Sequence, residues 1–213
     1  GHTLQIADGL WLDKKFKAAM MKSIAQSELD RKRFVYSDIG FILLQQVVEA
    51  VTGKTLDAYL VSEFYRPMGL EHTLFQPLNR YKKADIMPTA ANDYLRRQDL
   101  CGYVHDEAAA FMGGVSGNAG LFSTAQELGK IYQMILNEGE LDGKRYLRPE
   151  TCRIFTTEKS AVSHRGLGYD KPNLKDPKAN ACASSAPASV YGHTGFTGTC
   201  AWVDPENDLV YIF

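Results

Sequence analysis

Long apolar runs are missing from this 213-residue chain. The longest, such as Phe41 to Leu44 and Leu209 to Phe213, fall far short of the ~20 residues of a membrane span, and no signal peptide is visible. An excess of either charge is missing too. Twenty-four Lys and Arg face 25 Asp and Glu, for a net charge of −1, which argues against nucleic acid or an anionic membrane as the main partner. Cysteine is scarce: Cys101, Cys152, Cys182 and Cys200 lie far apart with no CxxC pair. Zinc sites want close ligand pairs and disulfide scaffolds want many cysteines in a short chain, so isolated thiols are expected. There is no internal repeat and no low-complexity tract. The N-terminus reads as an engineered boundary, with Gly1-His2 a tag scar.

What is present suits one ordinary soluble domain or a large piece of one, at 45% hydrophobic and 23% charged residues. The N-terminal third reads as helices. Asp13 is placed to cap a first one, with Phe16, Met20 and Ile24 on one face. After the polar stretch Ser27 to Arg33, a stronger helix carries Ile39, Ile42, Leu43, Val47 and Val51, with Gly53 at its end. Phe41, Leu44 and Val48 widen its apolar stripe, so burial on most sides is expected. Thr55 opens another helix through Tyr65, stopped by Pro67 and Gly69. From Gln76 to Gly102 the periodicity fades, suggesting a long surface excursion with one short helix. Gly113 to Gly120 is glycine-rich. Ser123 and Gln126 form a capping-box pattern before Leu128, Ile131, Tyr132, Ile135 and Leu136, and Pro149 suits the first turn of a further helix. Thr199 to Val203 and Leu209 to Phe213 flank Asp204-Pro205-Glu206-Asn207-Asp208, a hairpin signal. Residues 1–213 thus read as a single unit, with 1–188 mainly helical and 189–213 supplying strands.

Three clusters could carry chemistry. Tyr36-Ser37-Asp38 stands at a helix start. A phenol titrates near about 10 and needs help to act as a base, which a helix N-terminus supplies in part. The plain alternative is that Asp38 or Ser37 only caps and Tyr36 only packs. Gly192-His193-Thr194-Gly195-Phe196 precedes the hairpin. Its glycines let another backbone approach, so the strand could pair with an extended substrate and aim an N–H at an oxyanion, or could simply turn into the hairpin. Val104-His105-Asp106-Glu107 is tempting as a metal set, but chain neighbours point in different directions and no second histidine sits at ligand spacing. The Gly113 to Gly120 stretch lacks the lysine of a phosphate loop and reads as a loop passing close beside another element. Neither metal nor cofactor is expected.

In this order the clusters resemble the serine β-lactamase and penicillin-binding-protein-like superfamily, closest to its class C and esterase-like branch. Tyr36 to Leu44 is similar to the family's Tyr-x-Asn element, and Gly117-Asn118-Ala119-Gly120-Leu121-Phe122-Ser123-Thr124 to its Gly-x-Ala-Gly-Leu-x-Ser-Thr loop. His193-Thr194-Gly195 is similar to its Lys-Thr-Gly strand, often His-Thr-Gly in esterase-like members. The wording of these segments most resembles β-lactamase-like domains fused to bacterial family 3 glycoside hydrolases. The resemblance implies acyl transfer by a serine in Ser-x-x-Lys, on a β-lactam, cell-wall peptide or small ester. By it Tyr36 is the general acid/base, and His193 binds substrate or assists proton transfer. Thr194 and Gly195 line the substrate strand, and the Phe196 N–H is one oxyanion donor. Asp38 departs from the usual Asn and accepts but does not donate hydrogen bonds. An extracytoplasmic location is implied as well.

No serine here is followed three residues later by lysine: Ser23 leads to Gln26, Ser37 to Gly40, Ser116 to Ala119, Ser123 to Gln126 and Ser163 to Gly166. The expectation is therefore a fragment of a serine hydrolase that lacks its nucleophile and is inert by itself. A second reading is a non-catalytic binding module beside a glycosidase; a third is a thiol enzyme using Cys101 or Cys200. The expected architecture is α+β and mostly helical, with Gly192 to Phe213 as part of an incomplete β-lactamase/transpeptidase-like sheet. Its exposed hairpin invites pairing with a second copy.

Overall fold

The computed structural model describes residues 3–28, 34–157 and 162–213. The tag-scar reading of residues 1–2 and most of the polar stretch up to residue 33 lie outside them. The chain is α+β and divides into two compact units, Gly1–Ser123 and Thr124–Phe213.

The first unit opens on an antiparallel hairpin, β1 (Thr3–Ala7) and β2 (Leu10–Asp13). Asp8-Gly9 makes its turn, with Gly9 at φ +67°, a conformation glycine adopts without steric cost. The helical reading of the first residues is corrected there. α1 (Lys15–Ala25) follows, and Asp13 Oδ1 accepts the Lys15 N–H at 2.9 Å. Ile6, Val104, Ala109 and Ala110 form a small core, joined by Leu12, Phe111 and Ala119.

α2 (Ile39–Thr52) ends at Gly53, φ +67°, as its spacing predicts. Its burial corrects the sequence reading. The inward stripe is Ile42 and Gln45, whereas Leu43, Leu44 and Val47 are exposed and Val51 is 81% exposed. Periodicity identifies the apolar face of a helix, not the element that covers it. Here polar side chains do the inward work: Glu49 Oε1 accepts from Gln45 Nε2 at 3.0 Å and from the Leu56 N–H at 3.1 Å. α3 (Leu56–Leu60) widens into a π-turn over Val61–Tyr65. β3 (Leu74–Phe75) pairs with β6 (Leu121–Phe122). The expected surface excursion instead contains a bulged hairpin, β4 (Pro88–Asp93) and β5 (Gln98–Cys101). It is well anchored, since Leu100 is fully buried and Asp93 and Arg96 form a buried ion pair. Proline and two register shifts hide these strands from a period-2 pattern. α4 (Glu107–Phe111) completes the unit.

In the second unit, α5 (Ala125–Leu136) is capped by Thr124, whose Oγ1 accepts the Glu127 N–H at 3.3 Å. The working cap is thus one residue beyond the Ser123–Gln126 pattern, and Ser123 Oγ instead meets Thr73 Oγ1 at 2.7 Å within the first unit. β7 (Glu140–Leu141) and β8 (Lys144–Arg145) form a short ladder before α6 (Pro149–Thr156). The antiparallel sheet runs β11-β10-β9, from β9 (Tyr191–Thr194), β10 (Cys200–Asp204) and β11 (Leu209–Ile212). α5 packs against β10 and β11. Beyond β9, Asp170 exchanges both backbone hydrogen bonds with Gly192, at 2.7 and 3.0 Å. Tyr169 stacks edge-on to Tyr132 and Tyr191, with ring centroids 6.5 and 5.2 Å apart. Among the described residues no helix is long and apolar enough to cross a membrane.

Candidate active site

Tyr36 and Asp38 stand at the mouth of α2 in the first unit. Tyr36 is 59% exposed. Ser37 supplies the local turn, its Oγ accepting the Ile39 N–H at 3.3 Å, while the Asp38 side chain caps nothing. The Asp38 carbonyl accepts the first helical N–H groups, from Phe41 at 3.0 Å and Ile42 at 3.1 Å. The carboxylate therefore has no structural duty in starting the helix.

The glycine-rich loop docks on this helix through Gln45, which is 2% exposed. Gln45 Oε1 accepts the Gly117 N–H at 3.2 Å and its Nε2 donates to the Val115 carbonyl at 3.3 Å. A Cβ on Gly117 would collide with the Phe41 carbonyl, so glycine is what permits the approach. Asn118 Nδ2 donates to Asp106 Oδ1 at 3.0 Å, and the same oxygen accepts the Ala109 N–H at 2.6 Å, capping α4. The sequential His105, Asp106 and Glu107 face different partners: Asp93 at 3.8 Å, the α4 N-terminus, and Tyr94. The described residues contain no metal-binding cluster.

In the second unit His193, Thr194, Gly195 and Phe196 stand together on β9 and the turn after it. His193 pairs with Ala201 and Thr194 with Cys200 on β10. Gly192 lies so close to the Ala201 carbonyl and the Trp202 ring that a Cβ would overlap both. Thr194, Gly195 and Phe196 are exposed, Phe196 at 89%. His193 is partly buried, with Arg165 Nη1 at 3.0 Å from its Nε2 and the Thr194 carbonyl at 2.6 Å from its Nδ1. Arg165 Nη2 in turn lies 3.4 Å from Asp170 Oδ2, and His164 Nε2 lies 3.0 Å from Asp170 Oδ1. Arg165, Asp170 and His164 were invisible to motif reading, because only the backbone pairing of Asp170 with Gly192 brings them to β9.

Burial sets the chemistry behind this sheet. It pushes the Tyr169 and Tyr191 phenols well above their ordinary value, with further contributions from neighbouring tyrosines and Cys152. Burial likewise raises the Cys152 and Cys182 thiols. Among the described residues the four cysteines are unbridged, and Cys101 Sγ donates to the Ile86 carbonyl at 3.2 Å. Burial thus disfavours the thiolate at Cys152 and Cys182.

The motifs at the mouth of α2 and on β9 are those by which the sequence resembles the serine β-lactamase and penicillin-binding-protein-like superfamily. A family model described as Beta-lactamase matches residues 2–213, and the chain belongs to that hydrolase family. It is 35% identical over 212 residues to an Escherichia coli (strain K12) protein whose name provisionally makes it a D-alanyl-D-alanine carboxypeptidase, covering 94% of this chain and 49% of that protein. It is 36% identical over 189 residues to the N-acetylmuramyl-L-alanine amidase of Bacillus subtilis (strain 168), covering 83% and 43%. In fold it is similar to the octameric penicillin-binding protein homologue from Pyrococcus abyssi, with TM-score 0.65, 18% identity and coverage of 94% and 43%. The chain spans about half the length of the curated relatives it matches.

Proposed function

We propose that this chain carries the tyrosine and His-Thr-Gly parts of an acyl-transfer hydrolase acting on an amide or ester, with a cell-wall peptide ending in D-alanine as the favoured substrate class. In this reading Tyr36 is the general acid/base, and His193 binds substrate or assists proton transfer. Thr194 and Gly195 line the strand along which an extended substrate pairs, and the Phe196 N–H is one oxyanion donor. Asp38, free of capping duty, contacts the substrate as an acceptor. The observation that supports this most is the family match across residues 2–213. Relatives named for carboxypeptidase and muramyl-alanine amidase activities point to the peptide substrate.

The 213 residues contain no Ser-x-x-Lys, so on this reading the chain alone is inert: loss of the nucleophile removes most of the rate enhancement even where binding groups remain. Its hydrolysis of a chromogenic ester, a cephalosporin and a D-alanyl-D-alanine peptide should stay at background. Turnover that disappears in Tyr36→Phe would overturn the inert assignment. A second reading is an accessory module beside a glycoside hydrolase that holds cell-wall peptide or glycan. Saturable binding without turnover by the full-length parent protein separates it from the first.

A further inference from the structure

Arg165 touches His193 in a way that restricts what the imidazole can do. A guanidinium has five N–H donors and no acceptor. Its Nη1 at 3.0 Å from His193 Nε2 therefore requires a lone pair on Nε2. On the other side of the ring, the Thr194 carbonyl at 2.6 Å from Nδ1 accepts only if Nδ1 carries the proton. Both neighbours specify the same tautomer.

Arg165 is itself held. Its Nη2 faces Asp170 Oδ2 at 3.4 Å, and the two side chains are 23% and 15% exposed. The planar fork can thus serve ring and carboxylate together. Asp170 cannot drift from β9, since its N–H and carbonyl both pair with Gly192, the residue before His193. The loop bearing Arg165 is pinned to the end of α6 by the Leu167 N–H on the Phe155 carbonyl at 3.0 Å, and closed by the Gly166 N–H on the Tyr169 carbonyl at 3.0 Å. Gly166 sits where a Cβ would press on the Phe155 carbonyl.

We propose that Arg165, oriented by Asp170, is a positioning residue that fixes His193 with its proton on Nδ1 and its Nε2 as acceptor. The importance of that state for acyl transfer rests on the role proposed for His193; the state itself does not. With Nε2 kept unprotonated, His193 receives hydrogen bonds from its surroundings instead of donating them through that nitrogen.

The test is long-range ¹H–¹⁵N correlation NMR of the imidazoles in the ¹⁵N-labelled 213-residue chain. His193 is assigned by the signals lost in His193→Gln. The expected wild-type result is one tautomer, with pyrrole-type Nδ1 and pyridine-type Nε2. In Arg165→Met, with the fold checked by circular dichroism, the Nε2–H form should rise from a minor species to a comparable share. A wild-type proton on Nε2 overturns the proposal, and needs no variant to fold. An unchanged Arg165→Met spectrum overturns it also, because the Thr194 carbonyl would then suffice. Hydrolysis is not read in this experiment, so a failed activity assay and a failed tautomer assignment stay distinguishable.

Discussion

Replacing Gly117 by alanine should destabilise the first unit through a single collision. The added Cβ would lie 3.0 Å from the Phe41 carbonyl carbon, nearer still to its oxygen, and 3.3 Å from Gln45 Cβ. Because Phe41 is in α2, its carbonyl cannot rotate away without breaking the helix, so the loop must retreat. Ordinary van der Waals separation requires a shift of at least several tenths of an ångström. The two hydrogen bonds joining loop and helix are already 3.2 and 3.3 Å long and would not survive it. Overpacking costs about 1–3 kcal/mol and a buried amide left without partners about 1–3 kcal/mol. The retreat that relieves the first causes the second, so the two do not add fully. A net loss of roughly 2–4 kcal/mol is expected, lowering the thermal midpoint by roughly 4–16 °C at this chain length.

Gly40→Ala is the matched control. It makes the same substitution on α2, where a Cβ meets nothing within 4 Å, and helix propensity should then yield a gain of about 0.5–1 kcal/mol. Urea unfolding of both variants followed by circular dichroism gives the comparison. Opposite signs support the docking described for Gln45. A Gly117→Ala variant as stable as wild type would refute it, since no other feature of the loop would explain tolerance of that clash.

Three further outcomes are expected. Burial opposes the Asp93 charge, but the Arg96 backbone N–H and guanidinium outweigh it and hold the carboxyl below its usual value. A depressed folded value means stability that is present above the unfolded carboxyl's about 3.9 and is lost as pH falls through the folded one. Asp93→Asn should therefore flatten the acid limb of a urea-midpoint profile, and an unchanged limb counts against the pair. The buried Tyr169 and Tyr191 phenols give the opposite sign: stability present below about 10 is lost as pH rises, because the unfolded chain ionises first. Tyr191→Phe should shallow that alkaline slope, and ultraviolet difference spectra should show wild-type phenols that ionise only on unfolding. Finally, exposed Leu44, Val47 and Val51 on α2, Leu209 and Tyr211 on β11 and Phe213 just after it should drive concentration-dependent association, read by light scattering. A monomer at every concentration would refute that expectation, and Leu44→Glu with Val51→Glu should weaken the association if α2 is the seam.

The elements legible in the sequence were those whose signals are local. Gly53 stops α2 at positive φ, Pro149 opens α6, and Asp204 to Asp208 turn the terminal hairpin, where Asp204 accepts the Glu206 N–H. The β4–β5 hairpin is not legible because Pro88 and its register shifts break alternation, and β1–β2 is not because its strands are only five and four residues long. On α2 the error was of another kind. The stripe is legible, but hydrogen-bonding demand decides its inward side: the Val115 carbonyl and Gly117 N–H need Gln45, and Gln45 and the Leu56 N–H need Glu49.

The same distinction governs the candidate site. Tyr36 and His193 lie in motifs of adjacent residues, which a sequence displays directly. Arg165 lies 28 residues before His193 in a loop without repeat or motif, and its relevance arises only when Asp170 pairs with Gly192 across β9. That bridge is made by backbone groups common to all residues, so the side chains around Asp170 do not announce it. Residues that orient a side chain through such contacts are consequently harder to read than the motif that carries it.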